Sequence, residues 1–245
     1  MVTVQSGGSL TIDASTSSGG LSTQTFNADL SNAGTLTFNT DSVNYNATLT
    51  MAAGKTLTNT GLITLAGTTN GVDTINGAVT NTGTIAVTVD DLTIGNTGTS
   101  FNTVGGTINT SSGRTLTVTG GTTGFGTGTA LTGTGTVDLT GTHTLDIGSG
   151  YTHLATNTAT LKFGGIVTVN GTGTFTNEGT LSLRSTDDQF NVAFVNAAGA
   201  NLTIDASASS GGFSTQTFNA DLSNAGTLIF STDTASYNAT LTMAA

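Results

Sequence analysis

Along most of the chain, large apolar residues alternate with threonine, as in Leu10-Thr11-Ile12 and Thr115-Leu116-Thr117-Val118. A period of two sends successive side chains to opposite sides of an extended backbone, and β-branched residues favour strands. The apolar spacing of a helix (i, i+3, i+4, i+7) is almost nowhere met, so the pattern predicts a chain of short strands. These are predicted at 9–14, 23–30, 35–39, 45–51, 56–59, 62–65, 84–89, 92–94, 115–119, 136–139, 144–147, 160–163, 166–169, 174–176, 180–183, 190–195 and 202–205, after which the opening stretch returns. The longest unbroken apolar run is Val192-Ala193-Phe194-Val195. A membrane-crossing helix needs about 18 such residues in a row.

Short strands between Gly, Asn, Ser and Asp fit a sandwich, a barrel or a solenoid, and internal repetition decides among them. One unit keeps returning: Asn32-Ala33-Gly34-Thr35-Leu36, Asn59-Thr60-Gly61-Leu62-Ile63, Asn81-Thr82-Gly83-Thr84-Ile85, Asn177-Glu178-Gly179-Thr180-Leu181 and Asn224-Ala225-Gly226-Thr227-Leu228. It reads as a sharp corner running into a strand, with Asn and Gly tolerating a left-handed backbone. The spacings predict an all-β parallel β-helix, a β-solenoid with coils of roughly 20 residues. Like strands of successive coils then pair about 4.8 Å apart, with Leu, Ile, Val and Phe stacked inside and Thr outside. The chain has no Pro, as expected where each coil's N–H groups join the ladder. A left-handed hexapeptide helix would need a steady six-residue apolar repeat, which is not found.

A longer period lies over the short one. Ser22–Leu36 returns letter for letter at Ser214–Leu228, and 37 of the 45 residues of 9–53 recur at 201–245, an offset of 192. The departures include Ser9/Asn201, Leu21/Phe213, Thr37/Ile229 and Val43/Ala235. Residues 1–245 therefore read as one continuous solenoid holding a whole tandem block and the start of the next. At strand spacing the block is expected to be nine or ten coils tall, roughly 45 Å. The sequence stops at Met243-Ala244-Ala245, where the first copy continues into Gly54-Lys55-Thr56-Leu57. It reads as a segment of a longer array.

With these Asn-x-Gly-Thr-Leu/Ile units, its richness in Thr, Gly and Asn and its long tandem block, the chain resembles repetitive bacterial surface proteins. These are the filamentous-haemagglutinin-like exoproteins and the adhesin passengers of autotransporters. The resemblance implies a right-handed parallel β-helix, secretion to the cell surface, and a role in adhesion, biofilm matrix or fibre formation. It carries over no functional residue.

Composition narrows the function classes. Only 7% of the 245 residues are charged, and net charge is −10 with four Lys and Arg in all. That excludes a nucleic-acid platform, which neutralises phosphates with a basic surface, and disfavours anionic membranes. Thr supplies 58 residues and Gly 35. The regular alternation of large apolar residues separates the chain from disordered sequences of similar composition. Absence of Cys fits an extracellular chain. Met1-Val2-Thr3-Val4-Gln5 carries neither a basic start nor an apolar segment of a signal peptide.

No motif predicts an enzyme. Gly54-Lys55-Thr56 lacks the upstream glycine of a phosphate-binding loop, where Leu49 stands instead. Gly124-Phe125-Gly126-Thr127-Gly128 lacks the third glycine spacing of a dinucleotide site and reads as a flexible or bulged loop. The adjacent carboxylates Asp90-Asp91 and Asp187-Asp188 are the candidate calcium ligands and the candidate acid–base pairs; as ordinary turn residues they would be solvated. His143 and His153 form no metal motif without further ligands and read as exposed. No cofactor is expected. The expected function is structural and adhesive: coils of one copy stacking end to end on the next into a filament, with surface glycans or other cells as further partners. A carbohydrate- or ice-binding module is the alternative, and it requires a regular outward ladder of Thr-x-Thr or aromatic residues, as hinted at Thr48-Leu49-Thr50 and Thr56-Leu57-Thr58.

Overall fold

A computed structural model describes residues 1–16, 19–42, 44–67, 71–154, 159–207 and 212–244. Val43, one of the departures within the long repeat, and Ala245, the last residue of its second copy, lie outside the described residues. The chain is all-β, with parallel strands stacked as a solenoid of about 10 turns at a spacing of about 24 residues. Individual coils vary, from 19 residues between Asn177 and Asn196 to 28 between Asn196 and Asn224. The coil is longer than the sequence spacing suggests because each has three strands, and loops of unequal length join them at the corners.

The three faces follow one another in a fixed order. The first opens with Val2–Val4 and continues through Leu30–Asn32, Thr56–Asn59 and Ala78–Asn81 to Asn238–Met243. The second begins with Ser9–Ala14, Thr35–Thr40 and Leu62–Gly67. The third begins with Ser22–Phe26, Ala47–Met51 and Val72–Asn76. On the first and third faces the ladder runs the length of the molecule. On the second it is interrupted between Ala130–Gly133 and Tyr151–His153, after which it resumes with Phe175–Asn177, Phe194–Asn196 and Leu222–Asn224.

Alternation decides what each face buries. Leu49, Ile75, Ile94, Val118, Leu139, Phe163, Leu183 and Ile204 occupy one register position in successive coils, all fully buried, and form a column of the core. Leu36, Ile63, Ile85, Ile108 and Leu131 form a second column. Later coils fill the interior with rings: Phe190 stacks on Phe218 at 4.5 Å between centroids and meets Phe194 edge-on at 5.2 Å. Phe125 packs 5.1 Å from Tyr151. The Gly124–Gly128 segment is thus no free loop, since its central ring is an internal anchor.

The Asn-x-Gly corner works differently from the sequence expectation. Among the described residues no non-glycine has positive φ, so its asparagines are not left-handed. They point inward. Asn32 Nδ2 donates to Asn59 Oδ1 at 2.7 Å, and Asn59 Nδ2 donates to Asn81 Oδ1 at 2.7 Å. The column repeats later, from Asn177 to Asn196 to Asn224, at 2.8 and 2.7 Å. Each amide also donates to a backbone carbonyl, as Asn32 does to Leu62 at 3.0 Å. A side chain with both donor and acceptor can bridge coil after coil, so the interior of a buried polar column stays satisfied, while Asn32 Oδ1, at the start of the first one, is buried without a partner. The glycine two residues on is required for closeness rather than for its φ: a Cβ on Gly61 would collide with the carbonyl oxygen of Gly34 one coil below.

Several strands escape the sequence pattern: Val2–Val4, Val72–Asn76, Ala78–Asn81, Ser100–Asn102, Thr107–Thr110, Ala130–Gly133 and Tyr151–His153. At Asp73, Asn81, Thr110 and His153 a polar residue takes an inward position, and the strands are short, so the period-two signal is weak. Predicted strands 23–30 and 190–195 each prove to be two strands around a corner, Ser22–Phe26 with Leu30–Asn32 and Asp188–Phe190 with Phe194–Asn196.

The long repeat holds a further correction. The first copy places Ser9–Ala14 on the second face and Ser22–Phe26 on the third. The second copy places Asn201–Ala206 on the third face and Phe213–Phe218 on the first. The block is therefore eight and one-third turns tall, about 40 Å, rather than nine or ten. Identical sequence lands one face further round. The asparagine corner moves with it, from between the first and second faces to between the second and third.

Candidate functional site

The predicted carboxylate pairs are each divided by the strand period. Asp90 is buried, accepting from Thr40 Oγ1 at 2.7 Å and from the Gly71 N–H at 3.0 Å. Asp91 opens the strand Asp91–Gly95 and accepts from the Thr115 N–H at 2.8 Å. Asp187 is exposed, while Asp188 is buried and accepts from the Val167 N–H at 2.8 Å. Burial pushes the Asp188 carboxyl up to about 8, against the lowering pull of that N–H bond. Neither pair presents two carboxylates to one side, as calcium or glycoside chemistry would need. Among the described residues no group of three or more His, Asp or Glu gathers where a metal could sit. Lys162 pairs with Asp138 at 2.6 Å and Arg184 with Asp205 at 2.8 Å, so both cations are engaged elsewhere.

What these carboxylates do is staple coils. Asp73 accepts from Ala47 N–H at 2.9 Å, Asp29 from Thr56 N–H at 3.1 Å, and Asp41 from Thr16 N–H at 3.0 Å, each across about one coil. They satisfy backbone donors outside the regular ladder, where a strand opens at Ala47 and Thr56 and just past a strand's end at Thr16. Asp73 is a buried carboxylate that sequence reading missed. Burial first, and the charge of Asp90 in lesser measure, raise it to about 6 against the Ala47 bond. Its signal was present: in Val72-Asp73-Thr74-Ile75 the alternation that turns Ile75 inward turns Asp73 inward too.

Both histidines are buried rather than exposed, and on different faces. Burial lowers each to about 4, so both are neutral near pH 7. His143 Nε2 lies 2.6 Å from Thr123 Oγ1, and His153 Nδ1 lies 3.3 Å from the Tyr151 hydroxyl. These are core polar contacts. A groove of about 490 Å³ opens at the break in the second-face ladder, walled by Gly126, Thr129, Ser149, Tyr151, Leu154 and Thr174. Its walls carry no carboxylate, lysine or histidine.

Two extended surfaces remain. The first is the outward side of the third face. Thr23, Thr48, Thr74, Thr93 and Thr117 take the same position in five successive coils. The drifting sequence spacing of Thr-x-Thr hides this column, because loops absorb the drift. A parallel column at the next outward position reads Thr25, Thr50, Asn76, Gly95, Thr119 and Thr140, so it is interrupted.

The second surface is the pair of coil ends. In mid-chain, Phe38 is 0% exposed and Met51 5%; their duplicates in the last coil, Phe230 and Met243, are 51% and 48% exposed. Leu36 and Leu49 are fully buried, whereas Leu228 and Leu241 are only partly covered. The first coil mirrors this: Leu10 and Phe26 are partly covered, and their duplicates Leu202 and Phe218 are buried. Each end shows side chains whose copies are buried wherever a further coil covers them. Unpaired strand edges add backbone N–H and C=O groups to the same surface.

No family model, curated protein or solved structure matches this chain.

Proposed function

We propose that the chain is a structural protein of an extracellular fibre or matrix, lengthened by stacking coils of one copy end to end on the next. The observation that carries this reading is the contrast between Phe38 and Phe230 and between Met51 and Met243, duplicated residues that are buried where a further coil covers them and open in the last described coil. A head-to-tail contact joins unlike surfaces and grows without closing, which makes filaments. The low charge, the absence of Cys and the resemblance to repetitive surface proteins support an extracellular setting and an adhesive role toward glycans or other cells. Negative-stain electron microscopy of purified protein over a concentration series tests the reading. Rods should lengthen with concentration; short rods of one length at the highest concentration would reject it.

The Thr23–Thr117 column favours a second reading, a carbohydrate- or ice-binding face. A flat row of methyl and hydroxyl groups at strand spacing presents a regular array to a regular ligand. Ice-recrystallisation and glycan-binding assays on the Thr48→Lys/Thr74→Lys variant test it: activity in the parent that the variant loses would support this reading.

A further inference from the structure

A buried carboxylate is costly unless hydrogen bonds and an opposite charge meet it. At one corner of the solenoid two such groups come together. Asp73 and Asp90 are both 0% exposed, they stand on adjacent coils, and the charge of Asp90 acts on Asp73. Strand pairing explains the meeting. Asp91 lies over Val72 and Leu92 over Asp73, so Asp90 lies over Gly71. Gly71 and Asp73 are two residues apart and share the inward side of their strand. Asp90 thus finds its acidic partner across coils rather than in the adjacent Asp91, which faces the other way.

Gly71 has no side chain, and the Asp90 carboxylate fills part of that space. Its Oδ1 accepts from the Gly71 N–H at 3.0 Å and its Oδ2 from Thr40 Oγ1 at 2.7 Å, two coils away. Neutral oxygens stand around the same spot: a Cβ on Gly71 would lie 3.1 Å from the Tyr45 carbonyl oxygen, 3.6 Å from Asn46 Oδ1 and 3.8 Å from Thr40 Oγ1. Asp73 Oδ1 accepts from the Ala47 N–H at 2.9 Å, but its Oδ2 is buried with no partner at all. That oxygen is the group that calls for a ligand. No cation of the chain supplies one. The ion pairs among the described residues are Lys162–Asp138 and Arg184–Asp205, and Arg114, beside Thr115 on the next coil, forms none.

We propose that Asp73 and Asp90 hold a calcium ion inside the corner between the second and third faces, with Thr40, Tyr45 and Asn46 completing its oxygen shell. Donors that are all oxygen suit a hard cation. Two carboxylates with neutral oxygens in an irregular cage suit calcium, which takes about six to eight oxygens in flexible geometry, better than magnesium, which demands a near-octahedron. The ion fastens three successive coils where the chain passes from one sheet to the next, and it gives the orphaned Asp73 oxygen its partner. Asn46, exposed at the surface, marks the side from which the ion enters.

Melting of the metal-stripped protein near neutral pH, before and after adding calcium chloride, tests the site. With calcium a hundredfold above its dissociation constant, the melting temperature should rise by about 5–10 °C. Magnesium chloride should give a smaller rise. Asp73→Asn keeps the shape, removes the charge and adds an amide donor, so it should fold, melt no lower than the parent without calcium, and gain nothing from calcium. Asp90→Asn should lose the rise as well. Asp188→Asn, which removes an equally buried carboxylate on another face, should keep it. Terbium bound in place of calcium and excited through tyrosine should luminesce in the parent and stay dark in Asp73→Asn. A parent with neither rise nor luminescence would overturn the site, and so would a folded Asp73→Asn that keeps the full rise. A magnesium rise equal to that of calcium would overturn the choice of ion.

Discussion

Asn59 is the residue at which the corner expected from sequence and the ladder found in the structure make opposite predictions. Its side chain is fully buried. Its Nδ2 donates to Asn81 Oδ1 at 2.7 Å and to the Thr84 carbonyl at 3.1 Å, and its Oδ1 accepts from Asn32 Nδ2 at 2.7 Å. Truncation to Ala leaves Asn81 Oδ1 and the Thr84 carbonyl without their amide donor, and Asn32 Nδ2 with only the Leu62 carbonyl. An orphaned buried polar group costs about 1–3 kcal/mol. Two such groups, with the lost packing, give an expected destabilisation of about 3–5 kcal/mol. Asn59→Gly should be as damaging as Ala, with about 0.5–1 kcal/mol more for chain entropy. Were Asn59 a left-handed corner residue, Gly would instead be neutral. Urea unfolding followed by circular dichroism gives the stability difference. Hydrogen exchange by mass spectrometry locates the loss, because a solenoid can open a few coils at a time. A Gly variant within about 0.5 kcal/mol of the parent, a typical surface-level effect, would refute the ladder argument.

The remaining predictions use the same measurements. Phe38→Ala should cost about 3–5 kcal/mol as a buried ring, while Phe230→Ala, its half-exposed duplicate, should cost less than half as much and weaken filament growth instead. Gly61→Ala forces a Cβ against the Gly34 carbonyl; it should destabilise by about 1–3 kcal/mol, as overpacking does, whereas Gly54→Ala, with open space around it, should pay only the cost of its positive φ. The raised carboxylates favour the folded state when protonated, so their contribution is complete below about pH 4 and is lost as pH rises through about 6 for Asp73 and about 8 for Asp188. The lowered histidines contribute above pH 6.5 and lose that contribution as pH falls toward about 4. The two effects oppose each other between pH 4 and 6, leaving a net fall in stability from pH 6.5 to 8 that Asp188→Asn should flatten in a melting-temperature series.

The solenoid class was legible in the sequence because its signal is local. Alternation in Thr115–Val118, the recurring Asn-x-Gly-Thr unit and the missing Pro each depend on a few neighbouring residues, and each states how one strand must lie. The role of a single residue was legible only where its partner is also local. Asn59 looks like a turn residue until Asn32 and Asn81, a coil away on either side, are seen to hold its amide. Asp73 and Asp188 look like solvated acids until the strand period turns them inward and the Ala47 and Val167 N–H groups meet them.

The sequence by itself determined that the chain folds into stacked coils, which residues alternate inward, and that a block of 192 residues begins again. Only the tertiary structure decided where that block lands. The face a segment occupies depends on the number of rungs before it, counted in threes, and that count sums every corner and loop along the chain. A corner can be taken within one strand, as at Gly120–Gly121, or take a separate loop, as between Gly124 and Ala130, with the same effect on the count. No local pattern records this total, so identical letters at Ser22–Leu36 and Ser214–Leu228 fold into the same coil on different faces.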